Sequence, residues 1–332
     1  MYQTYYKLKT KPFQLSPDFR YFYGSKNHKK ALAYLLYGVE QGEGFIVITG
    51  DVGVGKSTLV QGVLSRIRGQ NIVTASIATT QLDRDDLLRM VAASFGLEYE
   101  GVSKARLINN IEEFLKKCAW ADKRALLIID EAQNLPVQSL EELRMLSNFQ
   151  EHGIALLQTF LLGQKNFIEV LQRPDFEQLR QRVIASFNLD AMSSDEVKGY
   201  IEHRLSVSGW LGDPEFQASA FNAIFSYTKG IPRRINTLCD RLMVYGCIEV
   251  LHHFDESSVQ AVIDELYGEV IDSKREQVQN SPDNNGEESA EKLNNRLAAR
   301  VDLLEKRVRY LEEALQLERA RLKKALSTKN NQ

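Results

Sequence analysis

Residues 50–57 read Gly50-Asp51-Val52-Gly53-Val54-Gly55-Lys56-Ser57, followed by Thr58, and the reading of the whole chain turns on them. They match GxxxxGK[ST], and they stand between an apolar, β-branched run (Phe45–Thr49) and a helical one (Thr58–Arg68). Glycines at 50, 53 and 55 let backbone N–H groups curl around an anion with no Cβ in the way. The helix that begins near Lys56 points the positive end of its dipole at the same place. In such a loop Lys56 reaches the β- and γ-phosphates of a nucleotide, and the Ser57 hydroxyl is a magnesium ligand. A glycine-rich turn matching by accident has no reason to sit between a strand and a helix.

A second motif, Leu126-Leu127-Ile128-Ile129-Asp130-Glu131, is an apolar strand that ends in two acids. Carboxylates at the carboxyl end of a buried strand are how an open parallel sheet presents a site. Asp130 suits the magnesium shell, and Glu131 suits the group that orients and polarises an attacking water. Two acids capping a turn is the bland alternative, and the first motif argues against it. Weaker features follow. Gln164 ends a strand run and has the chemistry to hydrogen-bond a γ-phosphate or the lytic water, though polar strand ends are common. Arg180 and Arg182 precede the run Val183–Leu189, where they are either solvated or placed to reach a neighbouring subunit as an arginine finger. Arg233, in Gly-Ile-Pro-Arg-Arg-Ile-Asn, is either an exposed helix arginine or a phosphate contact from a lid.

Outward from these motifs, strands are expected at Phe45–Thr49, Asn71–Ile77, Ala125–Asp130, Ala155–Leu162 and Val183–Leu189, with amphipathic helices between them. That alternation predicts an α/β fold of the P-loop kind, a parallel sheet with helices on both faces, over residues 45–190. Residues 1–44 form an aromatic segment that ends in a helix, His28–Gln41, and packs on this core. Over 191–271 helices dominate, forming an all-helical lid, with Asp195, Pro214 and Pro232 near helix starts. Residues 272–290 are polar and are expected to be a disordered linker. Then Leu297, Val301, Leu304, Val308, Leu311, Leu315 and Leu322 keep a heptad spacing that Glu318 interrupts. Residues 291–326 are therefore expected to form a coiled-coil helix, with a lone solvated helix as the alternative.

Composition excludes several classes. The 332 residues are 43% hydrophobic and 26% charged with a net charge of −2, so no whole-chain pull toward nucleic acid or membrane exists. Cys118, Cys239 and Cys247 form no CxxC pair, which reads as reduced thiols in a cytoplasmic protein. Met1–Lys11 has no signal-peptide core, and the greasiest stretch, Ile154–Leu162, is interrupted by Gln158 and far too short to span a membrane. Membrane attachment is expected only indirectly, through a partner or a surface helix.

The motifs together resemble the AAA+ ATPases, and more closely the general secretion pathway protein A (ExeA-like) family. Within it the chain looks like the ATPase subfamily linked to exosortase (PEP-CTERM) and exopolysaccharide loci. The stretches that carry the resemblance are YKLKTKPFQLSPDFRYFY (6–23), His28–Tyr37, GEGFIVITGDVGVGKST (42–58), LLIIDEAQNL (126–135), LEELRMLSNFQ (140–150), LLGQ (161–164), LRQRVIASFNL (179–189) and YTKGIPRRINTLCDRL (227–242). The resemblance covers residues 1–268. It implies ATP and magnesium as ligands, Gln164 in the sensor-1 place, Arg233 in the sensor-2 place, and Arg182 or Arg180 as finger. It also implies that residues 1–44 lie beside the nucleotide base, although Phe13 and its neighbours are equally suited to a core. The expected partners are further copies of itself, in a ring such as a hexamer, and envelope export or polysaccharide-synthesis proteins, which the heptads are expected to dock and through which the chain would reach the inner membrane. The founding members continue into a membrane span and a peptidoglycan-binding domain where this sequence has a linker and heptads, so that role is not carried over. Three functions compete: an ATP-driven assembly motor or switch for envelope export, a DNA-linked regulator of the transposition target-selection type, and a scaffold with little turnover. The charge of −2 favours the first over the second.

Overall fold

Phe45, Ile46, Val47 and Ile48 form a strand, β1 (Phe45–Gly50), in which every residue is buried. Successive side chains of a strand point to opposite faces, so β1 must find apolar cover on both. It does: Phe45 and Val47 join one hydrophobic cluster, while Ile46 and Ile48 join another. The computed structural model describes residues 1–16, 18–78 and 86–278, with the helix backbone alone beyond residue 268. Four more strands complete a parallel sheet: β2 (Ile72–Ala78), β3 (Arg124–Asp130), β4 (Leu157–Gly163) and β5 (Val183–Leu189). Their order is β2-β3-β4-β1-β5. β3 alternates in the same way, with Leu127 and Ile129 toward one cluster and Leu126 and Ile128 toward the other. Burying one such side chain stabilises the fold by roughly 1.5–3 kcal/mol, so this doubly covered sheet is the chief source of cohesion.

Helices α1 (Lys26–Gln41) and α2 (Lys56–Ile67) cover one face; α3 (Asp86–Ser94), α4 (Lys104–Trp120) and α5 (Val137–Leu146) cover the other. α1 starts two residues earlier than expected because Ser25 caps it, its Oγ accepting from the His28 N–H. α1 lies so close to β1 that a Cβ on Gly38 would fall 1.9 Å from Ile46 Cδ1. The buried amide of Gln158 in β4 is satisfied here, donating to Gly38 O (2.6 Å) and Glu43 O (3.1 Å). That is how a buried amide is accommodated in a mostly apolar strand.

The five expected sheet strands are present, with one correction. The run Ala155–Leu162 is divided: Ile154–Ala155 pairs antiparallel with Gln150–Glu151, and β4 begins at Leu157. His152 and Gly153 both take positive φ (53° and 78°), the conformation a two-residue hairpin turn requires.

The chain divides into two compact units. The first, residues 7–211 and 221–240, holds the sheet and α6 (Ser194–Val207), which a Ser193–Glu196 capping box starts. The second takes in residues 1–6, 212–220 and, among the described residues, 241–278. In it Glu215–Phe216 and His253–Phe254 form a short parallel ladder, Tyr6 donates to Leu251 O (2.9 Å), and Phe216 meets Phe254 edge-on. Pro214 therefore precedes a strand and not a helix; α7 (Ala218–Thr228) begins later. α8 is Pro232–Ile248, with proline at its first position as expected. α9 (Glu256–Val278) runs into the stretch expected as linker, because residues 272–278 contain helix formers and neither Pro nor Gly. The rest of 272–290 and the heptads of 291–326 lie outside the described residues. Among the described residues no helix is long and apolar enough to cross a membrane.

Two histidines of the first unit make its stability pH-dependent. Burial lowers the pKa of His28, against a smaller upward pull from its Val54 contact and the Glu196 charge. Burial and the Arg204 charge lower that of His203, partly offset by a backbone bond to Phe22. Above about pH 6.5 neither the folded nor the unfolded chain protonates them; below it the unfolded chain takes up protons that the folded one refuses. Stability contributed by the neutral rings is thus lost as pH falls from 6.5 toward the lowered folded values. Thermal melts from about pH 7 to about pH 5 should show a falling Tm in the wild type and a shallower fall in His28→Gln and His203→Gln. Equal slopes in all three would contradict this.

Candidate nucleotide-binding site

The loop 50–55 leaves the carboxyl end of β1 and turns directly into α2. Gly53 (φ 84°) and Gly55 (φ 103°) sit in left-handed backbone regions, and each has a neighbour where a Cβ would go: Arg233 Cβ at 2.6 Å and His28 Nε2 at 3.0 Å. Any other residue there would be strained and crowded. Val54 points into the core and is fully buried, whereas Val52 is exposed. Lys56 opens α2, and its Nζ folds back to donate to Gly50 O (2.9 Å) and Asp51 O (3.2 Å). Its ammonium is nearly buried, and desolvation lowers its pKa against the opposing pull of Glu131, Asp130 and Asp51. A desolvated cation held among oxygens is suited to receive a polyanion.

The ends of β1, β3 and β4 lie side by side, and this brings the second motif to the loop. Ser57 Oγ donates to Asp130 Oδ2 at 2.6 Å, while Asp130 Oδ1 accepts from the Glu131 N–H at 2.9 Å. A hydroxyl and a carboxylate are the oxygen donors a hard divalent cation prefers. Among the described residues no group of three or more His, Cys, Asp or Glu gathers as a metal cage; Ser57 and Asp130 would supply two oxygens of a cation's shell. Glu131 takes a left-handed backbone (φ 55°, ψ 40°), an uncommon conformation for a side-chain-bearing residue.

Gln133 is the residue that sequence reasoning missed. Its Nε2 donates to Glu131 Oε2 (2.6 Å), and its Oε1 accepts from the Gln164 N–H (2.9 Å). Gln164 Nε2 lies 3.5 Å from the same Glu131 oxygen. Gln133 therefore ties the Glu131 carboxylate to the end of β4. The DEAQN stretch offered the signal, an amide two residues past the acid. Lys165, likewise unforeseen, pairs with Asp51 of the loop (2.7 Å).

Other expected residues fall differently. Arg233 and Thr58 line the same cavity as the loop, and the Arg233 N–H donates to Gly53 O (3.1 Å). Arg180 and Arg182 do not line it. Arg180 Nη1 donates to Leu171 O and Arg173 O, and Arg182 Nη1 to Ser147 O and Oγ. Of the amino-terminal aromatics, Phe13 is buried, while Tyr21, Phe22 and Tyr23 line the cavity beside Met192 and Tyr200. Arg204 fastens that segment: it donates to Pro12 O (2.6 Å) and Gln14 O (3.2 Å) and lies 4.9 Å from the Tyr21 ring centroid.

With this geometry in place, residues 39–171 match the family model described as an AAA domain. The loop, Asp130, Glu131 and Gln164 all fall within that match. The sheet and its phosphate loop have the AAA+ fold. The chain is similar to general secretion pathway protein A of Aeromonas hydrophila, 34% identical over 269 residues. That alignment covers 81% of this chain and 49% of the relative, so this chain spans about half of that protein's length. Among solved structures it is similar to the ORC2 protein of Aeropyrum pernix, with a TM-score of 0.60 at 16% identity over 77% of this chain and 72% of that one. It is also similar to the RuvB Holliday junction branch migration motor of Thermotoga maritima, with a TM-score of 0.52 at 20% identity over 75% and 74%. At such identities the two structures establish a shared fold.

The amide bridge makes Gln133 testable. Gln133→Leu keeps the volume and removes both hydrogen bonds, so steady-state ATP hydrolysis should fall about tenfold while ATP affinity changes by about twofold or less. Unchanged turnover would show that the bridge does no more than pack.

Proposed function

We propose that this chain is an AAA ATPase that hydrolyses ATP with magnesium at the cavity described, and that turnover drives or switches assembly of a bacterial envelope export or exopolysaccharide system. One observation carries the chemical half: the Ser57–Asp130 pair and the Glu131–Gln133–Gln164 cluster share one sheet end with the phosphate loop. In this reading Lys56 and the amides of residues 50–58 hold the β- and γ-phosphates, and Ser57 and Asp130 hold the magnesium. Bound magnesium would neutralise charge on the phosphate oxygens. Glu131 accepts a proton from the attacking water, Gln164 orients that water, and Arg233 contacts phosphate from the lid, residues 191–271. Tyr21, Phe22 and Tyr23 flank the base.

Arg182 or Arg180 is assigned to a neighbouring subunit's site as its arginine finger. Neither lines its own cavity, which supports this, although each would have to release the oxygens it now serves. Such a site requires self-assembly into a ring such as a hexamer. The biological half rests on the 34% identity to a secretion-pathway protein and on the motif resemblance to exosortase-linked ATPases. The heptad segment 291–326 is proposed to dock the export or polysaccharide-synthesis partner at the inner membrane, keeping the chain itself cytoplasmic. A DNA-linked role has only a shared fold behind it and is the weaker alternative.

Lys56→Ala should weaken ATP binding by at least about a hundredfold, because the loop loses its side-chain cation. Glu131→Gln should bind ATP near normally and fail to cleave it. Isothermal titration with a non-hydrolysable analogue, paired with phosphate release, reads both. Normal turnover in Glu131→Gln would remove that residue from the chemistry. Specific activity of the wild type should also rise with protein concentration; a flat profile from a monomer by light scattering would defeat the shared site.

A further inference from the structure

A peptide unit is planar and trans, so its C=O and the following N–H point in opposite directions. A loop that turns N–H groups toward a ligand therefore presents carbonyls outward, and buried carbonyls need donors. The Val54 carbonyl has an unusual one. His28, buried in the first turn of α1, places Nε2 3.1 Å from Val54 O. The same peptide unit carries the Gly55 N–H, and Gly55 lines the cavity. Whatever holds the Val54 carbonyl outward thus holds the Gly55 N–H inward.

The ring's protonation follows from its partners. A carbonyl only accepts, so Nε2 must carry a proton. Nδ1 lies 2.7 Å from Ser25 Oγ, which already accepts from the His28 backbone N–H. The hydroxyl proton is then available to donate to Nδ1, leaving a neutral ring protonated at Nε2. Burial favours the neutral form. The support beneath is firm: Glu196 Oε1 accepts from the Lys26 N–H at 2.7 Å, and Glu196 also closes the capping box that starts α6. Phe22 meets the imidazole edge-on at 5.8 Å.

We propose that His28, held by Ser25 in its Nε2–H form, is a positioning residue that sets the phosphate loop and so the affinity for nucleotide. Residues 25 and 28 lie outside the 39–171 AAA match, so the cradle is completed by an element that precedes the AAA domain. The inference rests on the nucleotide reading of the loop.

The test uses the full-length chain and a fluorescent ATP analogue. His28→Leu should raise Kd about tenfold while kcat at saturating ATP stays within about threefold, and His28→Gln, which restores a donor, should recover most of the affinity. Nitrogen-15 NMR of the wild-type imidazole should show a neutral ring protonated at Nε2 at neutral pH, an outcome independent of whether any variant folds. Affinity within about twofold in His28→Leu, a His28→Gln no better than His28→Leu, or a ring protonated at Nδ1 would each overturn the proposal. Wild-type protein that binds no analogue would instead overturn the nucleotide reading itself.

Discussion

Everything in this molecule answers to one constraint: a loop of six residues must aim its amides at one point, and its carbonyls must be held elsewhere. Those of Gly50 and Asp51 are taken by Lys56, that of Gly53 by the start of α8, and that of Val54 by the start of α1. The glycines supply backbone freedom, but the outward donors select one shape from the many that freedom allows. Two of the elements that supply those donors flank the sheet in the chain, α1 before it and α8 after. The loop is thus a meeting point of the fold and not merely an ornament on β1.

The sheet beneath makes this arrangement rigid. Because β1 and β3 bury alternate side chains on two faces, a slip in register would push residues of each cluster into the other and disrupt the packing of both. That fixes the loop against Asp130 and Glu131 to within hydrogen-bonding distance, as the Ser57–Asp130 contact shows. The left-handed backbone of Glu131 is an unfavourable local geometry that this rigid frame and the Gln133 bridge together sustain.

Much of this was legible in the sequence because it rests on local signals. The β-branched runs, the glycine spacing and the acids closing β3 specify strand, loop and site ends without tertiary information. Long-range partners were not legible. Nothing near His28 announces a contact 26 residues away, and Gln158 reads as an interruption until the α1 carbonyl it serves is seen. Pro214 looked like a helix start because first-turn proline and strand-entry proline share one local signature. Arg180 and Arg182 were read for charge, whereas in the fold their guanidinium groups serve backbone carbonyls. Gln133 was overlooked beside the more conspicuous Glu131.

The central claim is that residues 50–58 receive the phosphates of ATP in a cradle closed by the starts of α1 and α8. Hydrogen–deuterium exchange on the full-length chain tests it most directly, comparing no ligand, AMP, and a non-hydrolysable ATP analogue with magnesium. The account predicts that the triphosphate with magnesium, and not AMP, slows exchange in peptides covering 50–58, 24–30 and 231–237 together. Protection confined to 50–58, or none in any of the three, would contradict it.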